Sequence, residues 1–109
     1  MTFEEYQKLA ARTMNKELSE EEAESHAIFG LTAEVGEINS IYQKYYQGHE
    51  IDINDLTLEI GDALWMVAEL CTVNNINLDT VARMNIEKLR RRYPDGFDAD
   101  RSLNRGDGA

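Results

Sequence analysis

The sequence predicts an all-α fold, an antiparallel four-helix bundle, on three observations. Its one proline, Pro94, stands behind the helical patterns, so nothing interrupts them. Apolar residues recur at steps of three and four through the middle of the chain. Thr2 with Glu5, and Ser19 with Glu22, fit the capping-box spacing that opens a helix.

The first box opens a helix expected at about residues 3–16, and the second a helix at about 20–47 with Gly48 as its C′ stop. Asp52 or Asn54 caps a third helix running to about Asn74, and Asn77 or Asp79 starts a fourth that ends near Tyr93. Ile28, Leu31, Val35, Ile38 and Tyr42 mark one core stripe, and Leu56, Ile60, Ala63, Val67, Leu70 and Cys71 another. The link from Gly48 to Ile53 is short, so the second and third helices form an antiparallel hairpin on which the first and fourth pack. From Asp95 to Ala109 the chain is rich in Gly, Asp and Arg and is expected to be irregular.

At 109 residues, the expectation is a single domain over residues 1–109. A chain of this length buries roughly 60 to 65% of its unfolded surface, which leaves a modest core. Amphipathic helices in such a chain finish burying their stripes against other copies, so a homotetramer, or else a homodimer, is expected. The longest apolar run is far short of the ~20 residues of a membrane helix, and Met-Thr-Phe-Glu-Glu has no basic or apolar leader, so a cytoplasmic location with no membrane partner is expected. Cys71 is the only cysteine, which excludes an intrachain disulfide or a thiolate cluster. The net charge of -10 argues against a partner that is a nucleic-acid polymer. Twelve acids and one base, Lys44, lie between Glu17 and Asp62, whereas seven of the eleven bases lie between Arg83 and Arg105. Such a chain suits cations in one place and phosphate oxygens beside them.

Within the hairpin two similar tetrapeptides face each other, Glu34-Val-Gly-Glu37 and Glu59-Ile-Gly-Asp62. Residues three apart share a helix face, so each presents two carboxylates side by side. At 1.5 Å per residue both pairs lie roughly 12 to 17 Å from the turn, so all four acids can meet. Left unneutralised, they would repel. Hard oxygen ligands without Cys or His select Mg²⁺, or Mn²⁺ in its place. Gly36 and Gly61 occupy matching positions; a mid-helix glycine costs about 1 kcal/mol against alanine, which points to a close helix approach or room for a ligand.

On these residues the chain resembles the MazG-like, all-α nucleoside triphosphate pyrophosphohydrolase superfamily, marked by E-x-x-E followed by E-x-x-D. The stretch from Asn85 through Lys88, Arg92, Tyr93, Pro94 and Gly96 to Phe97 is similar to the family's N-x-x-K-L-x-x-R-Y-P-x-G-F pattern. The resemblance implies Mg²⁺ held by Glu34, Glu37, Glu59 and Asp62, and hydrolysis of a nucleoside triphosphate to the monophosphate and pyrophosphate, a role in nucleotide-pool housecleaning included. Glu37 or Glu34 orients or deprotonates the attacking water. Lys88 then contacts phosphate and Asn85 hydrogen-bonds the substrate.

Other residues carry two readings. Lys44, seven residues beyond Glu37, contacts phosphate or forms a salt bridge one turn away. Trp65 stacks on a nucleobase or packs in the core. Tyr93 packs, and Cys71 is buried and inert. A rival from another class is a non-enzymatic helical interaction module with a surface carboxylate cluster. A second rival, a di-iron carboxylate bundle, is disfavoured by the lack of any E-x-x-H.

Overall fold

The computed structural model describes residues 1–104. Five helices follow one another: α1 (Phe3–Ala11), α2 (Glu20–Tyr45), α3 (Ile53–Val73), α4 (Leu78–Arg92) and α5 (Ala99–Leu103). Both expected capping boxes are formed, by Thr2 with Glu5 and by Ser19 with Glu22. Asp52, rather than Asn54, caps α3, and Asn77, rather than Asp79, caps α4. The Asp79 carboxylate instead accepts the Glu4 backbone N–H at 3.1 Å and ties α4 to the start of α1.

Helix α1 stops earlier than residue 16. Thr13 Oγ1 donates to the Ala10 carbonyl at 2.7 Å, and the Thr13 and Met14 amides bond three residues back, which tightens the last turn and ends the helix. The same hydroxyl accepts the Trp65 indole N–H at 2.9 Å, fastening the α1–α2 link to α3.

Gly48 is the stop that the sequence implies. At φ 95 it lets the His49 amide reach the Lys44 carbonyl at 3.0 Å and its own amide reach Tyr45 at 3.1 Å, the double closure of a Schellman motif. Asn75, at φ 55, closes α3 in the same way, with Ile76 bonding Cys71 at 2.8 Å. Asparagine is one of few L-residues that adopt this conformation readily. The expected irregular tail is corrected in part: Asp98 accepts the Asp100 and Arg101 amides and so nucleates α5. Residues 105–109 of that tail lie outside the described residues.

Helices α2 and α3 form the antiparallel hairpin, α1 packs on α3, and α4 packs chiefly on α1 rather than on the hairpin. The Gln7 side chain sets this arrangement. Its amide donates to the Ile76 carbonyl at 2.8 Å and to Thr72 Oγ1 at 3.2 Å, and its oxygen accepts the Leu78 amide at 2.8 Å. One residue of α1 thereby directs the chain out of α3 and into α4.

The buried core comprises Ala27, Met66, Ala68, Cys71 and Leu78. Burial raises the Cys71 thiol above its ordinary range, in keeping with an inert side chain. The expected core stripes are only partly buried. Ile28, Val35, Tyr42 and Ile60 are 45%, 44%, 46% and 53% exposed. The reason is the breadth of the apolar surface on α2: α3 covers one seam of it, and among the described residues α3 is the helix that packs extensively on α2. The radius of gyration, 17.0 Å, exceeds the ~13 Å of a compact domain of this size.

The seam between α2 and α3 is tight at Gly30. A Cβ there would lie 2.3 Å from Met66 Sδ, so the absence of a side chain admits the buried methionine. Gly36 and Gly61, by contrast, have no neighbouring heavy atom within 4 Å of an added Cβ. Of the two reasons that the sequence offers for them, close helix approach falls away and open space remains. Below Gly30 the seam ends in a polar pair. His26 Nδ1 lies 3.0 and 3.2 Å from the two Glu69 oxygens, and Glu69 is 5% exposed. A carboxylate offers only acceptors, so the imidazole N–H is the donor.

Candidate metal centre

Carboxylate oxygens of Glu34, Glu59 and Asp62 lie within 4.8 Å of one another, and all three side chains are half-buried. Glu34 comes from the middle of α2, and Glu59 and Asp62 from the first half of α3. The short link after Gly48 fixes these positions by bringing the two tetrapeptides to the same height on the hairpin. The fourth predicted ligand, Glu37, is exposed and stands outside that group, yet its charge acts on Glu59.

The electrostatics record the crowding. Partial burial, followed by the charges of Asp62, Glu34 and Glu37 and a hydrogen bond with Glu34, raises the Glu59 carboxyl above the ordinary glutamate range. A cation held among these carboxylates would remove that repulsion. The donor set is all oxygen, it converges and it is half-buried, which fits a hard divalent ion that retains waters and takes further ligands from phosphate.

A cleft of about 210 Å³ continues from Glu37 and Glu59 toward the hairpin turn, lined also by Ser40, Ile41, Lys44, Asp55 and Leu58. Lys44 therefore belongs to the same groove as the acids. Among the described residues, no carboxylate is within ion-pair distance of its ammonium group. Ser40 was not singled out from the sequence. The signal was present, since Ser40 lies three residues after Glu37 and four before Lys44 and so shares their helix face.

The remaining predicted site residues stand elsewhere. Trp65 is half-buried with its indole N–H bonded to Thr13. Asn85 is exposed and Lys88 half-buried on α4, which rests on α1, and neither lines the cleft of Lys44. Tyr93 packs on Phe97, with ring centroids 5.5 Å apart. Tyr6 of α1 feels the centre from the other side: burial first, then the Asp62 charge, raises its hydroxyl above the ordinary range. None of the described helices is long and apolar enough to cross a membrane.

The described residues define an all-α protein with a convergent, oxygen-only carboxylate cluster between two antiparallel helices. Residues 4–97 match the family model of the MazG nucleotide pyrophosphohydrolase domain, and the chain belongs to that family. It is also 34% identical over 77 residues to the Gene 37 protein of Mycobacterium phage L5, covering 66% of this chain and 68% of that one. No solved structure matches the chain. Family membership implies a nucleotide substrate and a divalent metal.

Proposed function

We propose that the protein is a Mg²⁺-dependent nucleoside triphosphate pyrophosphohydrolase, releasing pyrophosphate and the monophosphate, with one MazG-type unit per chain and a role in nucleotide-pool housecleaning. The observation that carries this reading is the meeting of Glu34, Glu59 and Asp62 within 4.8 Å across the hairpin. A divalent cation held there neutralises phosphate oxygens and the charge that develops on the leaving pyrophosphate. Glu34, Glu59 and Asp62 hold that cation together with Glu37. Because Glu37 stands outside the tight group, its carboxylate is also free to orient the attacking water and accept its proton, a role that Glu34 fills less readily. Lys44 and Ser40 offer a positive charge and a hydroxyl to phosphate oxygens in the groove. Asn85 and Lys88 bind substrate from α4, and Trp65 holds the link rather than a base.

The test is a panel of ribo- and deoxynucleoside triphosphates with Mg²⁺, assayed for pyrophosphate against phosphate. Pyrophosphate should be the primary inorganic product, EDTA should abolish its release, and Mn²⁺ should restore it. Orthophosphate as the primary product, or full activity in EDTA, overturns the reading.

The open faces of the hairpin motivate the second part of the proposal, that the working form is a homo-oligomer, a tetramer before a dimer, in the cytoplasm. Exposed apolar faces of this breadth mark contact surfaces. In sedimentation at micromolar concentration the chain should run as a multiple of its 12.5 kDa mass, and an active 12.5 kDa species would defeat this.

A further inference from the structure

Three pairs of residues step down the α2–α3 seam. Glu34 meets Asp62, Gly30 admits Met66, and His26 bonds Glu69. The intervals are nearly equal on the two helices, eight residues from His26 to Glu34 and seven from Asp62 to Glu69. At 1.5 Å per residue that places the lowest pair roughly 10 to 12 Å from the carboxylates.

These contacts differ in how strictly they define the sliding position of one helix on the other. The Gly30–Met66 contact is apolar, and methionine has three rotatable bonds with which to follow a shift. The Glu34–Asp62 contact is repulsive without a cation and opposes its own register. The His26–Glu69 contact is directional: two N···O distances of 3.0 and 3.2 Å, made to a carboxylate that is 5% exposed. A displacement of one residue, about 1.5 Å, leaves that buried carboxylate without its donor. A polar contact to a buried charge contributes little net stability, and the best-attested role of such contacts is to select one register among several of similar energy.

We propose that His26 and Glu69 are positioning residues for the metal centre, a pin that fixes the α2–α3 register in which Glu34, Glu59 and Asp62 converge. The inference rests on the reading of those carboxylates as metal ligands. It assigns function to a histidine and a buried glutamate that lie two helical turns from the cluster. It also gives the pair a consequence that a merely structural contact would not have: stability and metal affinity separate when the pair is replaced.

The experiment compares the full-length chain with the double variant His26→Leu/Glu69→Met and the single variants His26→Gln and His26→Leu, by thermal melting and by Mn²⁺ titration calorimetry, with pyrophosphate release alongside. The double variant exchanges a buried carboxylate and its half-exposed imidazole partner for apolar groups and should melt within a few degrees of wild type or above it. Its Mn²⁺ dissociation constant should nevertheless rise about tenfold, the scale of losing support behind metal ligands. His26→Gln keeps an N–H donor and should retain affinity within about threefold, whereas His26→Leu should lose it as the double variant does. A double variant, or a folded His26→Leu, that binds Mn²⁺ like wild type overturns the proposal. So does a folded His26→Gln as weak as His26→Leu. Because His26 is the half-exposed partner, the two single variants carry the comparison if the double variant fails to fold. Failure of the wild-type chain itself to bind Mn²⁺ overturns the metal centre, and the pin with it; intact wild-type binding with unchanged variants overturns the pin alone.

Discussion

Replacing Glu59 by Gln should reduce turnover by two to four orders of magnitude, roughly the effect of losing a metal ligand or general-base partner, without weakening the metal-free fold. The substitution preserves shape, removes one negative charge from a group of three within 4.8 Å, and so weakens the cation site while relieving repulsion. Glu37→Gln should lower turnover on the same scale. Glu21→Gln should leave turnover near wild type, because Glu21 is an exposed acid in the first turn of α2, and such changes usually stay within about ±0.5 kcal/mol.

The raised Glu59 carboxyl adds a pH dependence whose sign follows from linkage. The folded, metal-free chain holds this proton to higher pH than the unfolded chain does. Its contribution to stability is therefore full below the ordinary glutamate range and is lost as pH rises through the raised value. Melting of the metal-free protein should accordingly decline over that interval, and the decline should flatten in Glu59→Gln. Cation affinity runs the opposite way, since the ion competes with the proton and binds better as pH rises. Wild-type turnover retained in Glu37→Gln and Glu59→Gln, or unfolding of their metal-free forms, would make the carboxylates structural.

The second large effect concerns Gly30. Gly30→Val places a Cβ 2.3 Å from the Sδ of Met66, itself only 3% exposed, with two methyl groups to follow. Met66 is buried, so its flexible side chain can move aside only into packed surroundings and the core must repack. Overpacking of this kind costs about 1–3 kcal/mol, equivalent to a fall of roughly 5–20 °C in melting temperature for a domain of this size. Gly36→Ala and Gly61→Ala meet nothing within 4 Å and should shift the metal-free chain the other way, by up to about 1 kcal/mol of recovered helix propensity. Thermal melts of the three variants decide the matter; a Gly30→Val protein that melts at or above wild type would mean that the seam is looser than the Gly30–Met66 contact implies.

Local chemistry made most of the helices legible from sequence. Capping boxes, Gly48 and the caps of α3 and α4 are decided within four or five residues, and there expectation and structure agree to within a few positions. The meeting of Glu34, Glu59 and Asp62 was legible because their spacing equals the helix repeat and their separation equals the length of a hairpin, whereas Glu37, expected to join them, stands outside the group. What escaped depends on partners distant in the chain. The early end of α1 involves a hydroxyl bonded to Trp65, and the course of α4 is set by Gln7, a residue with no periodicity to flag it. Gly30 carries no signal in its neighbours, because its requirement comes from Met66, thirty-six positions away. The half-exposure of Ile28, Val35 and Tyr42 escaped for a different reason: periodicity identifies an apolar face, and it does not say which surface will cover it.

The bond between Trp65 and Thr13 also has an optical consequence. The chain has one tryptophan, so its ultraviolet emission arises from a single place, the joint where the α1–α2 link is fastened to α3, three residues past Asp62. Indole emission depends on hydrogen bonding at the ring nitrogen and on the polarity around it. An unlabelled sample therefore carries its own gauge of that joint, sensitive to whether the N–H points at a threonine hydroxyl or at water, and readable during a cation titration without any engineered probe.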